Sequence, residues 1–434
     1  MRMRPVPLFL LCCAALALSG PCRATAEETF SLPALQDRLA DEYGLELAGF
    51  LEARNGRRLQ NDPYEKDVSL AEALLQIELG KDLGWGQARL KGDLGWDWVS
   101  EEGITELREA SLLFSPLDRM DLKLGRQTLT WGTGDLLFIN DLFAKDWESF
   151  FVGRDDEYLK APSDAVKVSA FFPLASVDLI YMPAVTNSVF IDGSRLSYWN
   201  PGLGRTAGRD AVLIAEERNS LFADSELAAR ISRNLGGTEI ALYAFRGFWK
   251  TPEGMNPVSL RLTYPRLHAY GASMRGNLLG GIANLEAGWY DSRDDRDGSN
   301  PFVRNSELRL LAGYERELTR DFTGGAQYYL EQILDHDGYL AGLAPGTPAA
   351  DEYRHLLTLR LTRLLLDQNL RLSLFAYWSP SDRDVYLRPK ASYKLSDHWN
   401  LEAGGNLFAG RHDHTFFGQF DRNTNIYAGA RYSF

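Results

Sequence analysis

Few residues of this chain are arranged for covalent chemistry. The six histidines, His268, His336, His355, His398, His412 and His414, are scattered, and no Gly-x-Ser-x-Gly elbow presents a serine nucleophile. His412-Asp413-His414 has the residue types of a metal site, but two imidazoles on one loop are more simply solvated. The stretch Asp291 to Asn300 approaches a calcium loop and fails its template, because Arg293 and Arg304 occupy the first and last ligand positions. No metal, cofactor or catalytic residue is expected. What the chain does carry is a long series of lysines and arginines that fall on one face of alternating segments, with acids among them. Their chemistry is electrostatic: a wall of such cations focuses a field and sorts ions.

The alternation identifies the elements that position these charges. In residues 86 to 98, Ala88, Leu90, Gly92, Leu94, Trp96 and Trp98 alternate with Gln87, Arg89, Lys91, Asp93 and Asp97. Side chains two apart share one face of a strand, so one face is apolar and the other charged. Residues 370 to 379 and 384 to 395 repeat the pattern. A soluble sandwich would alternate in the same way, so period alone does not decide the architecture.

Connection lengths do decide it. About 18 candidate strands begin near 45, 69, 86, 107, 120, 165, 175, 225, 238, 267, 281, 306, 322, 353, 370, 384, 399 and 425. Tight connections such as Gly236-Gly237 and Asp367-Gln368-Asn369 alternate with longer ones, among them 132 to 164 and 184 to 224. Tight turns at one rim and long loops at the other predict an all-β fold, a transmembrane antiparallel up-and-down β-barrel of about 18 strands, with 16 as the next choice. Trp98, Trp289 and Trp378 fall at the loop end of outward faces. Phe322, Trp399, Tyr432 and Phe434 fall near the turn end, as two aromatic girdles would.

Composition agrees. The 434 residues carry a net charge of -12, which excludes a nucleic-acid binder needing a basic face. No apolar run after the first twenty residues is long enough for a membrane helix. Residues 1–26 read as a cleaved signal peptide: Arg2 and Arg4, then the apolar Leu8 to Leu18, then Ala24-Thr25-Ala26. A lipoprotein signal at Cys22 is the rival, opposed by Pro21. Cleavage would remove Arg2, Arg4 and Arg23, leaving the mature chain three charges more acidic. It would also remove Cys12, Cys13 and Cys22, and with them any disulfide framework. Residues 27–44 form a short periplasmic segment in which Leu32, Leu35 and Leu39 suit an amphipathic helix. Residues 45–434 form the barrel.

With apolar residues facing lipid, the other face lines the interior. There fall Arg89, Lys91, Lys123, Arg230, Arg275, Arg309, Arg354, Arg360, Arg371, Arg388, Lys390, Lys394 and Arg431. Asp93, Asp97, Glu109, Glu239, Glu286, Glu307, Glu315, Glu331 and Glu402 oppose them. An 18-stranded barrel is too wide for side chains to fill, so it holds water or a plug. The third long connection, Trp131 to about Asp164, combines Trp131, Phe138, Trp147, Phe150 and Phe151 with Asp135, Asp141, Asp155 and Asp156. Exposed loops seldom carry so much apolar surface. This one is expected to fold into the lumen as a constriction, the rival being a surface lid. Arg126 has the parity of Leu122 and Leu124, hence lipid. A bulge at Gly125 would turn it inward, to pair with Asp135 or Asp141.

The last strand, Asn425 to Phe434, ends on an aromatic residue. Together with the signal sequence, the alternation, Ala430-Arg431-Tyr432-Ser433-Phe434, and Leu124-Gly125-Arg126-Gln127 followed by Trp131-Gly132, it resembles Gram-negative outer-membrane porin-type β-barrels, including the alginate-export-like class. The resemblance implies a bacterial outer-membrane location and contact with outer-membrane lipid and lipopolysaccharide. It also implies recognition of the Phe434 strand by the barrel-assembly machinery, and passive passage of hydrophilic solutes, anions among them. A scaffold barrel enclosing a partner lipoprotein, an export conduit and an outer-membrane enzyme are the alternatives.

Overall fold

The computed structural model describes residues 32–434; the expected signal peptide lies outside the described residues. Helix α1 (Leu32–Tyr43) has no buried residue and lies against the start of the first strand, where the Gln36 amide donates to the Leu47 carbonyl. Eighteen strands then form one sheet. The first six are β1 (Leu45–Arg58), β2 (Val68–Asp82), β3 (Gly86–Asp97), β4 (Glu102–Leu117), β5 (Met120–Thr128) and β6 (Pro162–Phe171). The next six are β7 (Ser176–Met182), β8 (Glu226–Leu235), β9 (Thr238–Phe248), β10 (Arg266–Leu278), β11 (Gly281–Ser292) and β12 (Glu307–Thr319). The last six are β13 (Phe322–Ile333), β14 (Tyr353–Leu365), β15 (Leu370–Ser379), β16 (Asp384–Lys394), β17 (Trp399–Gly410) and β18 (Asn425–Ser433).

Every strand pairs antiparallel with its chain neighbours. β18 returns to pair with β1, from Phe50↔Ser433 to Arg58↔Asn425, and closes the barrel. Closure leaves no unpaired edge, which a lipid environment requires. Strand starts fall within three residues of the expected ones except at β4. That strand begins at Glu102, because the chain reverses tightly over residues 98–101.

Period-two alternation sorts the two faces. Leu51, Leu94, Leu179, Ile231, Leu242, Leu285, Leu359 and Leu401 are large, apolar and exposed on the outer face. Exposed Trp96, Trp98, Tyr270, Trp289 and Trp378 mark its upper border, and Trp399 the lower. The long loops, L1 (59–67), L3 (129–161), L4 (183–225), L5 (249–265), L6 (293–306), L7 (334–352) and L9 (411–424), with the short L2 (98–101) and L8 (380–383), share one rim.

The buried apolar core lies inside the barrel. L3 turns inward and brings helix α2 (Trp147–Val152) against the wall. The Asp146 carboxylate caps this helix by accepting from the Ser149 amide, and Gly153 ends it in the left-handed region at φ +94°. Phe151 packs on Tyr386, Phe408 and Phe420, with ring centroids 4.9 to 5.6 Å apart. Trp131 packs edge-on against Phe143 and beside Tyr243. L4 also enters the lumen, where Leu196 and Tyr198 are buried. The apolar content of L3 is thus spent on a core that a wide barrel could not build from its wall alone.

Candidate functional site

The lumen is organised around L3. Its first turn is held by Glu286 of β11. That carboxylate accepts from the backbone amides of Thr133, Gly134 (2.6 Å) and Asn140 (3.3 Å), from the Thr133 hydroxyl (2.9 Å) and from the Asn140 side chain (2.8 Å). A loop that turns back inside a barrel exposes amides with no strand partner, and one buried acid satisfies several of them. The Asp135 amide donates to Gln327, Tyr290 donates to the Ile139 carbonyl, and Tyr377 donates to the Leu136 carbonyl.

In this turn and beyond it, loop acids meet wall cations. Arg360 forks onto Asp135, with one nitrogen 2.8 Å from the carboxylate. Arg388 meets Asp156 at 2.9 Å and lies 4.0 Å over the Phe150 ring. Asp155 has Lys390, Arg431 and Arg54 around it at 3.8 to 4.0 Å. Burial alone would raise the Asp155 carboxyl, but those cations hold it below the ordinary carboxylate range. Lys91 meets Glu157 at 3.1 Å. Asp141 pairs within the loop, with Lys145 at 2.9 Å and the Thr130 hydroxyl at 2.9 Å. Trp147 stands between Phe138, Phe150 and Phe151.

The remaining wall cations also share the inward face. Lys123 pairs with Glu109 at 2.7 Å, and Arg230 with Glu239 at 2.6 Å. Arg309 pairs with Glu307 at 2.6 Å and lies over Tyr290, and Arg354 pairs with Asp382 at 2.6 Å. Lys390 also meets Glu402 at 2.6 Å, Lys394 meets Asp397 at 2.7 Å, and Arg431 meets Glu52 at 2.6 Å. Arg89, Arg275 and Arg371 are exposed on that face near the turn rim, with no acid partner among the described residues.

Arg126 is the exception. The β5–β6 register runs unbroken from Met120↔Ala170 to Thr128↔Pro162, so Arg126 stays on the face of Leu122 and Leu124. It pairs there with cross-strand Asp164 at 3.5 Å, and not with Asp135 or Asp141. The bulge sits one strand earlier, opposite Lys91/Gly92, and it turns Arg108 into the lumen. Arg108 then lies 4.5 Å over Tyr158 of L3.

Sequence reasoning also missed Arg54. It is 2% exposed, bound to Glu52, Glu402 (2.8 Å) and the Gly153 carbonyl (3.0 Å). An arginine at alternate spacing beside Glu52 was the available signal. Arg195 of L4, which reaches Asp97 and the Ser69 carbonyl, had none in local sequence.

The two sides of the lumen differ. Around β1 and β2 the wall is sealed, as Arg54 shows. Along β12 to β16 it stays partly open: Arg309 is 14%, Arg354 19%, Arg360 22% and Asp135 41% exposed. Two small recesses meet at Arg360. The first is lined by Thr133, Asn284, Glu315, Gln327 and Thr358, and the second by Ser373, Arg388 and Lys390. This side is polar, charged and partly water-accessible. Among the described residues no three metal-ligating side chains cluster; His412 and His414 stack on each other in L9.

No family model matches the chain, and no curated protein matches it in sequence. Among solved structures it is similar to OccAB4 of Acinetobacter baumannii, with 11% identity and a TM-score of 0.56 over 90% of this chain and 98% of that one. OccK5 of Pseudomonas aeruginosa gives 10% identity and a TM-score of 0.52 over 90% and 97%. OccK11 (OpdR) of the same organism gives 11% and 0.50 over 89% and 95%. At these identities the likeness is one of architecture: the chain is an 18-stranded antiparallel barrel similar in fold to the Occ proteins.

Proposed function

We propose that this protein is an outer-membrane channel through which small hydrophilic solutes diffuse, with L3 as its constriction. The exposed apolar outer face and the closed sheet support a place in lipid. One observation carries the channel reading: L3 crosses the lumen and is pinned to the far wall at Arg360–Asp135 and Arg388–Asp156, beside a polar, partly open side. Acids of the loops and of the wall itself together pair most of the cationic wall, so its field is largely cancelled. A weak anion preference rests on Arg89, Arg275 and Arg371, whose charges no neighbour offsets at contact distance. A scaffold barrel needs an empty lumen for its partner, and this one is occupied by L3 and L4.

Planar-bilayer recording tests the reading. The wild-type barrel should give discrete conductance steps, and a variant shortened over residues 145–155 should give larger ones. No steps from either, in folded protein, would rule the channel reading out. Equal steps from both would show that residues 145–155 do not set the width of the pore.

A further inference from the structure

Every strand pair of the barrel but one joins neighbours in the chain. The exception, β1 with β18, joins its two ends along nine paired positions, from Phe50↔Ser433 to Arg58↔Asn425. No turn or loop links these two strands directly, so closing this seam carries the largest loop-closure entropy in the sheet.

Five residues of L3 touch both sides of the seam from inside. Toward β1 to β3, the Gly153 carbonyl accepts from Arg54 at 3.0 Å, Arg154 meets Glu72 at 2.9 Å, and Glu157 meets Lys91 at 3.1 Å. Toward β16 to β18, Asp155 lies 3.8 Å from Arg431 and 3.9 Å from Lys390, and Asp156 meets Arg388 at 2.9 Å. Glu157 also reaches Arg431, at 3.7 Å. Gly153 lies so close to the Tyr427 ring of β18 that a Cβ there would clash with it.

The charges along the seam do not balance without the loop. Arg54, Lys390 and Arg431 share two wall carboxylates, Glu52 and Glu402. Lys91 pairs only with Glu157 among the described residues. Asp155 and Glu157 supply the two missing negative charges. Where water is scarce, like charges left uncompensated repel more strongly than in bulk solvent. With L3 lifted away, Lys390 and Arg431 would therefore push against Arg54 across the closing pair.

We propose that residues 153–157 of L3 are a clasp on the closing seam, holding the first and last strands together from inside the lumen. The role concerns closure of the wall and not the width of the pore, so it stands or falls separately from solute passage.

Hydrogen–deuterium exchange of the full barrel in detergent, read segment by segment, tests it. Asp155→Asn with Glu157→Gln should speed exchange over residues 50–58 and 425–433 about ten-fold or more, as expected for losing contacts between charged groups. β9 and β10 should exchange as in wild type. Gly153→Ala changes no charge but pushes the loop off Tyr427; it should have the same effect, and it serves if the double variant does not fold. Asp135→Asn frees the tip of L3 from β14 instead, and should leave the seam as in wild type. Unchanged exchange at the seam in either clasp variant that folds, equal acceleration on all strands, or the same acceleration in Asp135→Asn would each overturn the proposal.

Discussion

The Arg360 guanidinium grips the Asp135 carboxylate across the lumen, joining β14 to the tip of L3 over 225 residues of sequence. Both groups keep contact with water, so the pair is worth about 1 kcal/mol or less. Its role is to set where the tip sits. Arg360→Gln should leave barrel stability near wild type and make single-channel current larger and noisier. Asp135→Asn should do the same, and the double variant no more than either single. Additive effects on conductance would show that the two residues act separately.

Glu286 should matter more than any wall cation. Replacing it by Ala strands several buried amides at once, each costing about 1 to 3 kcal/mol if left unpaired. The barrel ladder does not depend on those amides. Glu286→Ala should therefore release L3 while the strands persist. Limited trypsin digestion should then cut at Lys145, Arg154 or Lys160 within an intact barrel, and Glu286→Gln should be intermediate. Equal resistance in wild type and Glu286→Ala would mean that the aromatic packing of α2 alone holds the loop.

L1 meets L4 at Glu65–Arg209 (3.1 Å), and this contact is expected to depend on pH. Burial pushes the Glu65 carboxyl up to about 7, although Arg58 and Arg209 oppose the shift. Its side chain is 1% exposed, and one carboxylate oxygen lacks a hydrogen-bond partner. Undocked, the group would titrate near its ordinary 4.5. Between those values the docked loop holds a proton that the free loop has lost, so docking weakens as pH rises through this window. Hydrogen exchange of residues 59–67 should be faster at pH 8 than at about pH 5 beyond the intrinsic rate change. Glu65→Gln should remove the difference. Faster exchange at the lower pH would reverse the sign and reject the assignment.

Selectivity should depend on the wall cations that no acid pairs, Arg89, Arg275 and Arg371. Reversal potentials in a salt gradient are expected to show a weak anion preference that fades as the Debye length falls from about 30 Å at 0.01 M to about 3 Å at 1 M. Arg89→Gln with Arg275→Gln and Arg371→Gln should abolish it. A wild-type preference for cations would place control with the loop carboxylates instead.

Period-two patterning was enough for most of the strands and their faces, with β4 the exception. Alternation over Arg89, Lys91 and Asp93 assigns an inward face because side-chain direction on a strand is a local property. Alternating short and long connections fix the rims for the same reason, since hairpin length constrains only neighbours. Partners were a different matter. That Arg388 meets Asp156 and Asp135 meets Arg360 depends on how L3 crosses a closed barrel, and closure is set by all eighteen strands together. The β4 bulge shows the same limit. Local sequence suggested Gly125 as the irregular position, yet the extra residue lies opposite Lys91/Gly92, where pairing with β3 has to be reconciled with the rest of the sheet. Arg126 accordingly stays on the outer face beside Asp164, and Arg108 turns inward. Parity assigns a face only where the register is unbroken, and which charges remain uncompensated in the lumen was decided by tertiary contacts, those of L3 among them, because ion pairing needs contact in space.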